Sequence, residues 1–208
     1  MRIVVTRAEA QADPLAHELA TLGHDVVRCP VLAIEPLGDD PIDPTPYDWV
    51  VVTSPNGAEE LARRLAAPPR ALAAIGPGTA QALSARGLSV DLVPATHTQE
   101  GLLEELPPGR VLVAAAEGAR RVIVEARDAD FLPLYRTVEL RPPPPEGDLA
   151  LLTSASSARA LAATGSRLPV VAIGPQTAAE AERQGLEVVA IARSHDLAGL
   201  LEAVRSLP

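Results

Sequence analysis

The sequence predicts an α/β fold made of two similar parallel-sheet domains of the flavodoxin-like type, derived from an internal duplication and joined by a two-stranded β linker. Short valine-rich segments alternate with segments whose apolar residues recur with the period of an α-helix. Two motifs, a serine-threonine turn and a glycine-proline turn, each occur twice in the chain. Aromatic residues are only 2% of the chain, so the core must be aliphatic, which suits parallel strands buried on both faces.

The chain opens with a strand, a helix and a second strand. Residues 2–6 form an apolar run typical of a buried strand, and a helix follows that ends at Gly23, before a strand at 26–27. Glycine readily takes the left-handed conformation that follows a helix. Two further glycines are predicted as equivalent stops, before strands at 90–93 and 188–191. These two stops are Gly87 and Gly185.

The middle of the chain carries amphipathic helices and a second copy of the first strand. The segment 56–66 has apolar residues at i, i+3, i+4 and i+7, and the segment after Gln99 repeats this spacing. Residues 110–113 resemble the N-terminal strand. The duplication therefore covers nearly the whole chain, as copies at about 1–107 and 110–208.

Proline-rich segments at 36–46 and 142–145 interrupt each copy, and such segments favour crossings between domains. The strands that precede them, 31–35 and 135–139, would then lie side by side as the linker. The predicted division is a continuous domain, 36–140, and a discontinuous domain, 1–35 with 141–208.

Composition excludes several classes of function. All 18 basic residues are arginine, so no lysine Schiff base and no P-loop lysine can exist. The net charge of −9 argues against a nucleic-acid partner. A single cysteine, Cys29, fits a reducing compartment, and the short apolar runs together with the N-terminal strand predict a soluble, untargeted, cytoplasmic chain with no membrane partner.

The two glycine-proline turns predict anion-binding helix ends. In residues 76–79 the proline suits the first helical position, which leaves the amides of Gly78 and Thr79 unpaired, and residues 174–177 repeat the pattern with Gln176 and Thr177. Ordinary helix capping is the alternative interpretation.

Three other residue pairs or motifs have structural as well as functional interpretations. Ser54 and Ser154 are predicted N-caps at the carboxyl ends of strands, on the ligand side of a parallel sheet. His97 and His195 match across the repeat without metal-ligand spacing, which favours solvated loop histidines and predicts no metal site. Tyr135 is either a functional residue or a packing residue of the hinge.

These motifs together resemble the uroporphyrinogen-III synthase family over nearly the whole chain. The matching segments are 6–9, 53–55, 75–80, 100–103, 134–138 and 173–178. The resemblance implies a cofactor-free lyase that closes the linear tetrapyrrole hydroxymethylbilane to uroporphyrinogen III, with inversion of the last ring and loss of water. It also implies two α/β domains with a flexible cleft between them.

The resemblance assigns roles to particular residues. The family's most sensitive tyrosine falls on Tyr135, its cleft threonines on Thr79 and Thr177, and its turn serines on Ser54 and Ser154. Arginines at strand ends or in loops are the candidate ligands for substrate carboxylates. These arginines are Arg7, Arg120, Arg136 and Arg193.

Three alternatives to an active synthase stay open at this point. They are a two-lobed protein that binds a small anion without catalysis, an inactive relative of the synthase, and a nucleotide or sugar-nucleotide enzyme. A dinucleotide-binding enzyme is disfavoured because Gln81 stands where the third glycine of a dinucleotide fingerprint belongs. We expect a monomer whose partner is the small-molecule substrate.

Overall fold

The structure is a computed structural model that describes residues 1–207. In chain order the first half contains β1 (Arg2–Val5), α1 (Glu9–Thr21), β2 (Asp25–Arg28), β3 (Leu32–Pro36), β4 (Trp49–Val52), α2 (Pro55–Arg64), β5 (Leu72–Ala74), α3 (Pro77–Ala85) and α4 (Gln99–Glu105). The second half contains β6 (Val111–Ala116), α5 (Val122–Arg127), β7 (Asp130–Glu139), β8 (Leu149–Leu152), α6 (Ala155–Ala163), β9 (Val170–Ala172), α7 (Pro175–Arg183), β10 (Val188–Ile191) and α8 (Leu197–Arg205). The predicted α/β class is confirmed.

The chain separates into two compact units. The first unit is Met1–Ala33 with the chain from Val138 onward, and the second is Ile34–Thr137. The chain therefore passes between the units within β3 and within β7. The Leu37 amide donates to Leu134 O and the Leu140 amide donates to Val31 O, so these two neighbouring strands run in opposite directions.

The first unit contains a parallel sheet in the order β10-β9-β8-β1-β2. Renumbered along the chain, this order is 2-1-3-4-5, which is the flavodoxin-like arrangement. Its central strands β1 and β8 are fully apolar where they pair, and both are buried. Helices α1 and α8 supply part of one core, and α6 and α7 supply part of the other.

The second unit contains a sheet in the order β3-β7-β6-β4-β5, in which β5, β4, β6 and β7 are parallel. Successive residues of a strand face opposite sides. Val50 and Val52 therefore pack in the core that includes residues of α2 and α3, whereas Val51 packs with residues of α4 and α5.

The repeated turns lie at matching positions in the two sheets. The serine turns follow β4 and β8, which are the neighbours of β6 and β1. The glycine-proline turns follow β5 and β9, one strand farther out in each sheet. The three predicted helix stops are confirmed, because Gly23, Gly87 and Gly185 all have φ between 76° and 82°.

The predicted strand at 90–93 is wrong. The structure has only an isolated bridge between Ala73 and Leu92 there. The side chain of Asp91 accepts the Leu72 amide at 2.8 Å, and so replaces part of a regular backbone ladder. Pro94 follows directly and has no amide to extend the pairing.

Gly101 and Gly199, at equivalent places in the first turns of α4 and α8, allow two tight loop-to-helix connections. A Cβ on Gly101 would lie 2.1 Å from Thr96 O, and one on Gly199 would lie 2.1 Å from Ser194 O. Both contacts are far inside the van der Waals limit and involve backbone atoms. Any side chain at these positions would force the preceding loop to move.

We expect Gly101→Ala and Gly199→Ala each to lower the free energy of unfolding by roughly 3 kcal/mol, at the upper end of overpacking costs. Urea unfolding followed by circular dichroism measures this loss. Gly78→Ala is the matched control, because a Cβ there meets nothing within 4 Å and alanine favours a helix. Equal stability of Gly101→Ala and Gly78→Ala would contradict the packing argument.

Candidate active site

Each unit gathers polar groups at the carboxyl ends of its parallel strands. In the second unit this edge carries Ser54 after β4, Gly76 after β5, and Tyr135 in β7. In the first unit it carries Arg7 after β1 and Ser154 after β8. Parallel strands direct their following helix N-termini to one edge, where ligands bind in open α/β sheets.

Ser54 and Tyr135 form a hydroxyl pair in the second unit. Ser54 Oγ and Tyr135 Oη are 2.9 Å apart, and either atom can be the donor. Ser54 Oγ also accepts the Gly57 amide at 3.0 Å and so caps the N-terminus of α2. Tyr135 is 5% exposed and packs in the same apolar core as Leu134. A phenol is thus held in apolar surroundings with its hydroxyl at a helix N-terminus.

An irregularity in β7 directs Tyr135 toward Ser54. Ala115 pairs with Pro133, but the next residue, Ala116, pairs with Tyr135, so Leu134 is an extra residue opposite β6. Regular alternation would place Tyr135 on the face opposite Leu134. The bulge instead puts both side chains in the core that includes α2. Pro133 has no amide to donate, and inside a sheet proline is tolerated at such bulges.

Gly57 has no side chain that could occupy the hydroxyl of Ser54, which contacts Tyr135. A Cβ on Gly57 would lie 3.1 Å from Ser54 Oγ. The equivalent position in the first unit is Ser157, whose amide donates to Ser154 Oγ and whose hydroxyl donates to Ser154 O at 2.7 Å. Ser154 therefore belongs to a closed capping box, and no tyrosine contacts it in the described residues.

The threonines of the glycine-proline turns are buried at the helix N-termini. Thr79 is 3% exposed and Thr177 is 5% exposed. Within residues 1–207, neither hydroxyl has a hydrogen-bond partner. The prediction that the Thr79 amide is unpaired is wrong, because it donates to Gly76 O at 3.1 Å and closes the first turn of α3. Among the described residues, the amides of Gly78 and Gln176 have no backbone partner.

The repeated histidines cover the glycines that begin these two helices. His97 and His195 are exposed, as predicted. A Cβ on Gly76 would lie 3.3 Å from His97 Cβ, and one on Gly174 would lie 3.1 Å from His195 Cδ2. In the described part of the chain, no group of three or more histidine, cysteine, aspartate or glutamate side chains is placed to hold a metal ion.

Arg7, at the edge of the first unit, has no carboxylate partner among residues 1–207. Its guanidinium donates to Gln11 Oε1 at 3.2 Å, and its buried Nε has no partner among residues 1–207. Burial lowers the pKa of Arg7 from its ordinary value, although an arginine stays charged at neutral pH. A half-buried guanidinium with an unused hydrogen-bond donor is suited to bind an anion.

The other predicted arginines differ in whether they already pair with a carboxylate of the chain. Arg120 donates twice to Glu100, at 2.5 and 3.0 Å, while Gln99 Nε2 donates to Arg120 O at 3.0 Å. Arg136 is paired with Glu35 at 2.7 Å, which joins β7 to β3. Arg193 is exposed and forms no ion pair with another described residue. A ligand carboxylate would have to compete with Glu100 or Glu35 for two of these cations.

Sequence reasoning did not identify Pro133, Gly57 or Gln11 as parts of the site. Inside a sheet, proline is confined to edge strands, strand starts and bulges. Pro133, just before the predicted linker strand 135–139, could therefore have indicated the bulge. The replacement of Ser157 by Gly57 at matching places in the repeat was a second sign. Gln11 had no local signal, since its role depends on where Arg7 points.

Comparison with known proteins identifies one matching family and several similar proteins. A family model described as "Uroporphyrinogen-III synthase HemD" matches residues 13–202. A uroporphyrinogen-III synthase from Synechococcus elongatus is 34% identical in an alignment of 142 residues that covers 60% of this chain and 54% of that protein. This match therefore spans about half the length of the relative. A protein named only provisionally as a uroporphyrinogen-III synthase, from Methanocaldococcus jannaschii, is 28% identical over all of this chain and 99% of its own.

A solved structure shares the fold. A mutant uroporphyrinogen III synthase from the extremely thermophilic bacterium Thermus thermophilus has a TM-score of 0.62 and 18% sequence identity, with 99% of this chain and 97% of that chain covered. At this identity the likeness concerns the fold alone. No helix among the described residues combines the length and the apolar content that a membrane crossing needs.

The Glu100–Arg120 pair predicts how the stability of the folded chain depends on pH at low pH. Hydrogen bonding to Arg120, and then to its own backbone amide, lowers the pKa of Glu100 from 4.5 to about 2. The contact therefore stabilises the folded chain fully above the ordinary carboxyl range, and this contribution is lost as the pH falls through about 2. Carboxyl carbon shifts in an NMR titration measure the midpoint. Arg120→Met should return it toward 4.5, and an unchanged midpoint would contradict the pairing.

Proposed function

Because the chain belongs to the uroporphyrinogen-III synthase family, we propose that it closes hydroxymethylbilane to uroporphyrinogen III with inversion of the last ring and loss of water. The observation that carries the proposal is the hydroxyl pair of buried Tyr135 and half-buried Ser54 at the carboxyl edge of the second sheet. A neutral donor suits this substrate, because a carboxylic acid in the same place would repel a polycarboxylate when ionised.

In the proposed reaction Tyr135 supplies the proton for the leaving group. In the pyrrole ring that carries the hydroxymethyl group, the nitrogen lone pair forms a double bond to a ring carbon. The ring electrons shift toward the hydroxymethyl carbon. The bond between the hydroxymethyl carbon and its oxygen breaks, and the hydroxyl leaves as water with the Tyr135 proton. The resulting azafulvene cation is attacked by a carbon of the last ring to give a spiro intermediate. The spiro carbon then breaks its original bond to the methylene that leads to the third ring. The unsubstituted α-carbon on the other side of the last ring forms a bond to that methylene, which inverts the ring, and the proton lost from this carbon returns to Tyr135.

The reaction as written needs no redox step and no external electrophile. The pyrrole nitrogen supplies the electrons for the loss of water, and the product differs from the substrate only by one water. We therefore propose a lyase that works without a cofactor. Its main tasks are to hold the chain in a curled conformation and to exclude water until the correct bond has formed.

Binding of the substrate carboxylates is assigned to local donors that outweigh the net charge of −9. In the described part of the chain Arg7 has no carboxylate partner. The N-termini of α3 and α7 offer the amides of Gly78 and Gln176 with the hydroxyls of Thr79 and Thr177. Each helix end favours an anion by about 0.3–1 kcal/mol. Several such contacts are needed, so Arg120, Arg136, Arg193 and Ser154 are proposed as secondary contacts.

We also propose that the two units descend from an internal duplication. The serine turns and the glycine-proline turns occupy equivalent strands in both sheets, and the glycines at 101 and 199 relieve the same steric conflict. Among the described residues, only the second unit has a tyrosine in contact with its serine turn. The duplicated scaffold would therefore bind carboxylates at both edges and perform proton transfer at one.

The second candidate is a protein that binds a small anion without catalysis, as an inactive relative would. The Arg7 Nε and the amides of Gly78 and Gln176 favour it, because they have no partner among the described residues and could bind an anion without any reaction. This protein would retain hydroxymethylbilane but would leave its closure to the spontaneous reaction, which gives the type I isomer.

Incubation with hydroxymethylbilane and chromatographic separation of the type I and type III products tests the proposal. We expect mainly type III product from the native protein. Tyr135→Phe should lower the rate of type III formation by about 100-fold or more while it keeps the circular dichroism spectrum and the unfolding midpoint. Tyr47→Phe, which removes the other tyrosine, is the matched control.

Two results would count against the proposal. Exclusive type I product from folded native protein would leave the anion-binding alternative. Native turnover by Tyr135→Phe would remove that residue from the mechanism.

Arg7→Met should raise the KM for hydroxymethylbilane by about tenfold or more, because a charged hydrogen bond is lost and no internal carboxylate compensates. Arg120→Met should have a smaller effect, since Glu100 already occupies that cation. Arg70→Met is the control, because Arg70 pairs with Asp48 before β4 and away from the carboxyl edge. Steady-state kinetics at constant ionic strength compare the three. Equal KM values for Arg7→Met and Arg70→Met would refute the role of Arg7.

A further inference from the structure

We propose that Ser54 is a positioning residue that donates its hydroxyl proton to Tyr135 Oη, and so leaves the phenolic proton of Tyr135 free to point at the substrate. This inference rests on the proposed function for its catalytic consequence. The direction of the hydrogen bond is a separate property of the folded chain that can be measured without substrate.

The donors and acceptors around Ser54 favour this direction. Ser54 Oγ already accepts the Gly57 amide at 3.0 Å, and the Tyr135 hydroxyl is its other partner at 2.9 Å. An oxygen that accepts one hydrogen bond becomes a stronger donor, whereas two donors that point at one oxygen weaken each other. The arrangement from the amide to Ser54 and on to Tyr135 is therefore preferred over two donors that meet at Ser54.

The same arrangement assists proton transfer. When Tyr135 gives up its proton, negative charge develops on Oη. The Ser54 hydroxyl then donates to this charge, and Ser54 is itself bonded at the N-terminus of α2, whose positive end lies behind it. Fixed donors of this kind stabilise a developing anion without reorganisation. Ser54 would thus lower the barrier without touching the substrate.

In the first unit the equivalent serine, Ser154, caps a helix without a contact to a tyrosine among the described residues. Ser154 accepts the Ser157 amide at 3.1 Å in the same capping role. Its own amide and carbonyl are both bonded to the Ser157 hydroxyl. Loss of Ser154 therefore removes a cap without any contact to Tyr135, and loss of Ser54 removes a cap and a partner of Tyr135. The two serines separate structural from positioning effects.

Ultraviolet resonance Raman spectroscopy measures the direction of the hydrogen bond. The intensity ratio of the tyrosine Fermi doublet is high when the phenolic oxygen accepts a hydrogen bond and low when the phenolic proton is donated. The chain has two tyrosines, so Tyr47→Phe makes Tyr135 the only source of the signal. In this background we expect a high ratio that falls in Ser54→Ala. Ser154→Ala and Thr98→Ala, which each remove an N-cap elsewhere, should leave it unchanged.

Ser54→Asp tests the consequence without loss of the cap. Aspartate caps helices as well as serine does, but an ionised carboxylate can only accept hydrogen bonds. The Tyr135 proton would then be drawn to residue 54. We expect native stability, a low Raman ratio, and a kcat lowered as far as in Tyr135→Phe. KM should also rise, because the ionised carboxylate repels the carboxylates of the substrate, so kcat is the decisive measurement. Ser54→Ala should lower kcat by about tenfold to a hundredfold, and Ser54→Thr should restore it.

A low ratio in the Tyr47→Phe protein, or a ratio that Ser54→Ala does not change, would overturn the inference. Full kcat in Ser54→Asp would overturn it as well. Absence of type III product from the native protein would overturn the proposed function alone, because a high ratio that depends on Ser54 still establishes the direction of the bond.

Discussion

Parallel pairing at the centre of each sheet is the constraint on which the rest of the structure depends. β1 pairs with β8 and β4 pairs with β6, so the centre of each open sheet is formed by strands that lie far apart in the sequence. Parallel neighbours need crossover connections, and here most strands lead into helices. The helix N-termini and their capping groups consequently collect at one edge of each sheet. The candidate functional side chains lie at these edges because the parallel topology brings the strand ends and helix N-termini together there.

One irregularity distinguishes the two edges. Pro133 and the bulge after it turn Tyr135 onto the face of α2, where Ser54 already caps the helix. Gly57 leaves the cap open, whereas Ser157 closes the equivalent cap in the other unit. The same local motif therefore serves as a plain helix cap in one copy and as the support of a buried phenol in the other.

The parts of the structure that depend on local pattern could be predicted from the sequence. Hydrophobic period and glycine stops predicted the α/β class and several element ends, because they act within one helix or strand. The strand at 90–93 failed because the side chain of Asp91 replaces backbone pairing. The contact of Ser54 with Tyr135 spans 81 residues and depends on a register shift, so no local pattern contains it. The partners of Arg120 and Arg136 were hidden for the same reason.

The placement of Tyr135 is the central claim, and nuclear Overhauser contacts from its ring test it most directly. The chain has only two tyrosines, so the ring signals are readily assigned. The bulge predicts contacts between the Tyr135 ring and the β protons of Ser54. Regular alternation in β7 would instead place the ring near Ile123 of α5, on the opposite face of the sheet. Contacts to Ile123 without contacts to Ser54 would contradict the account.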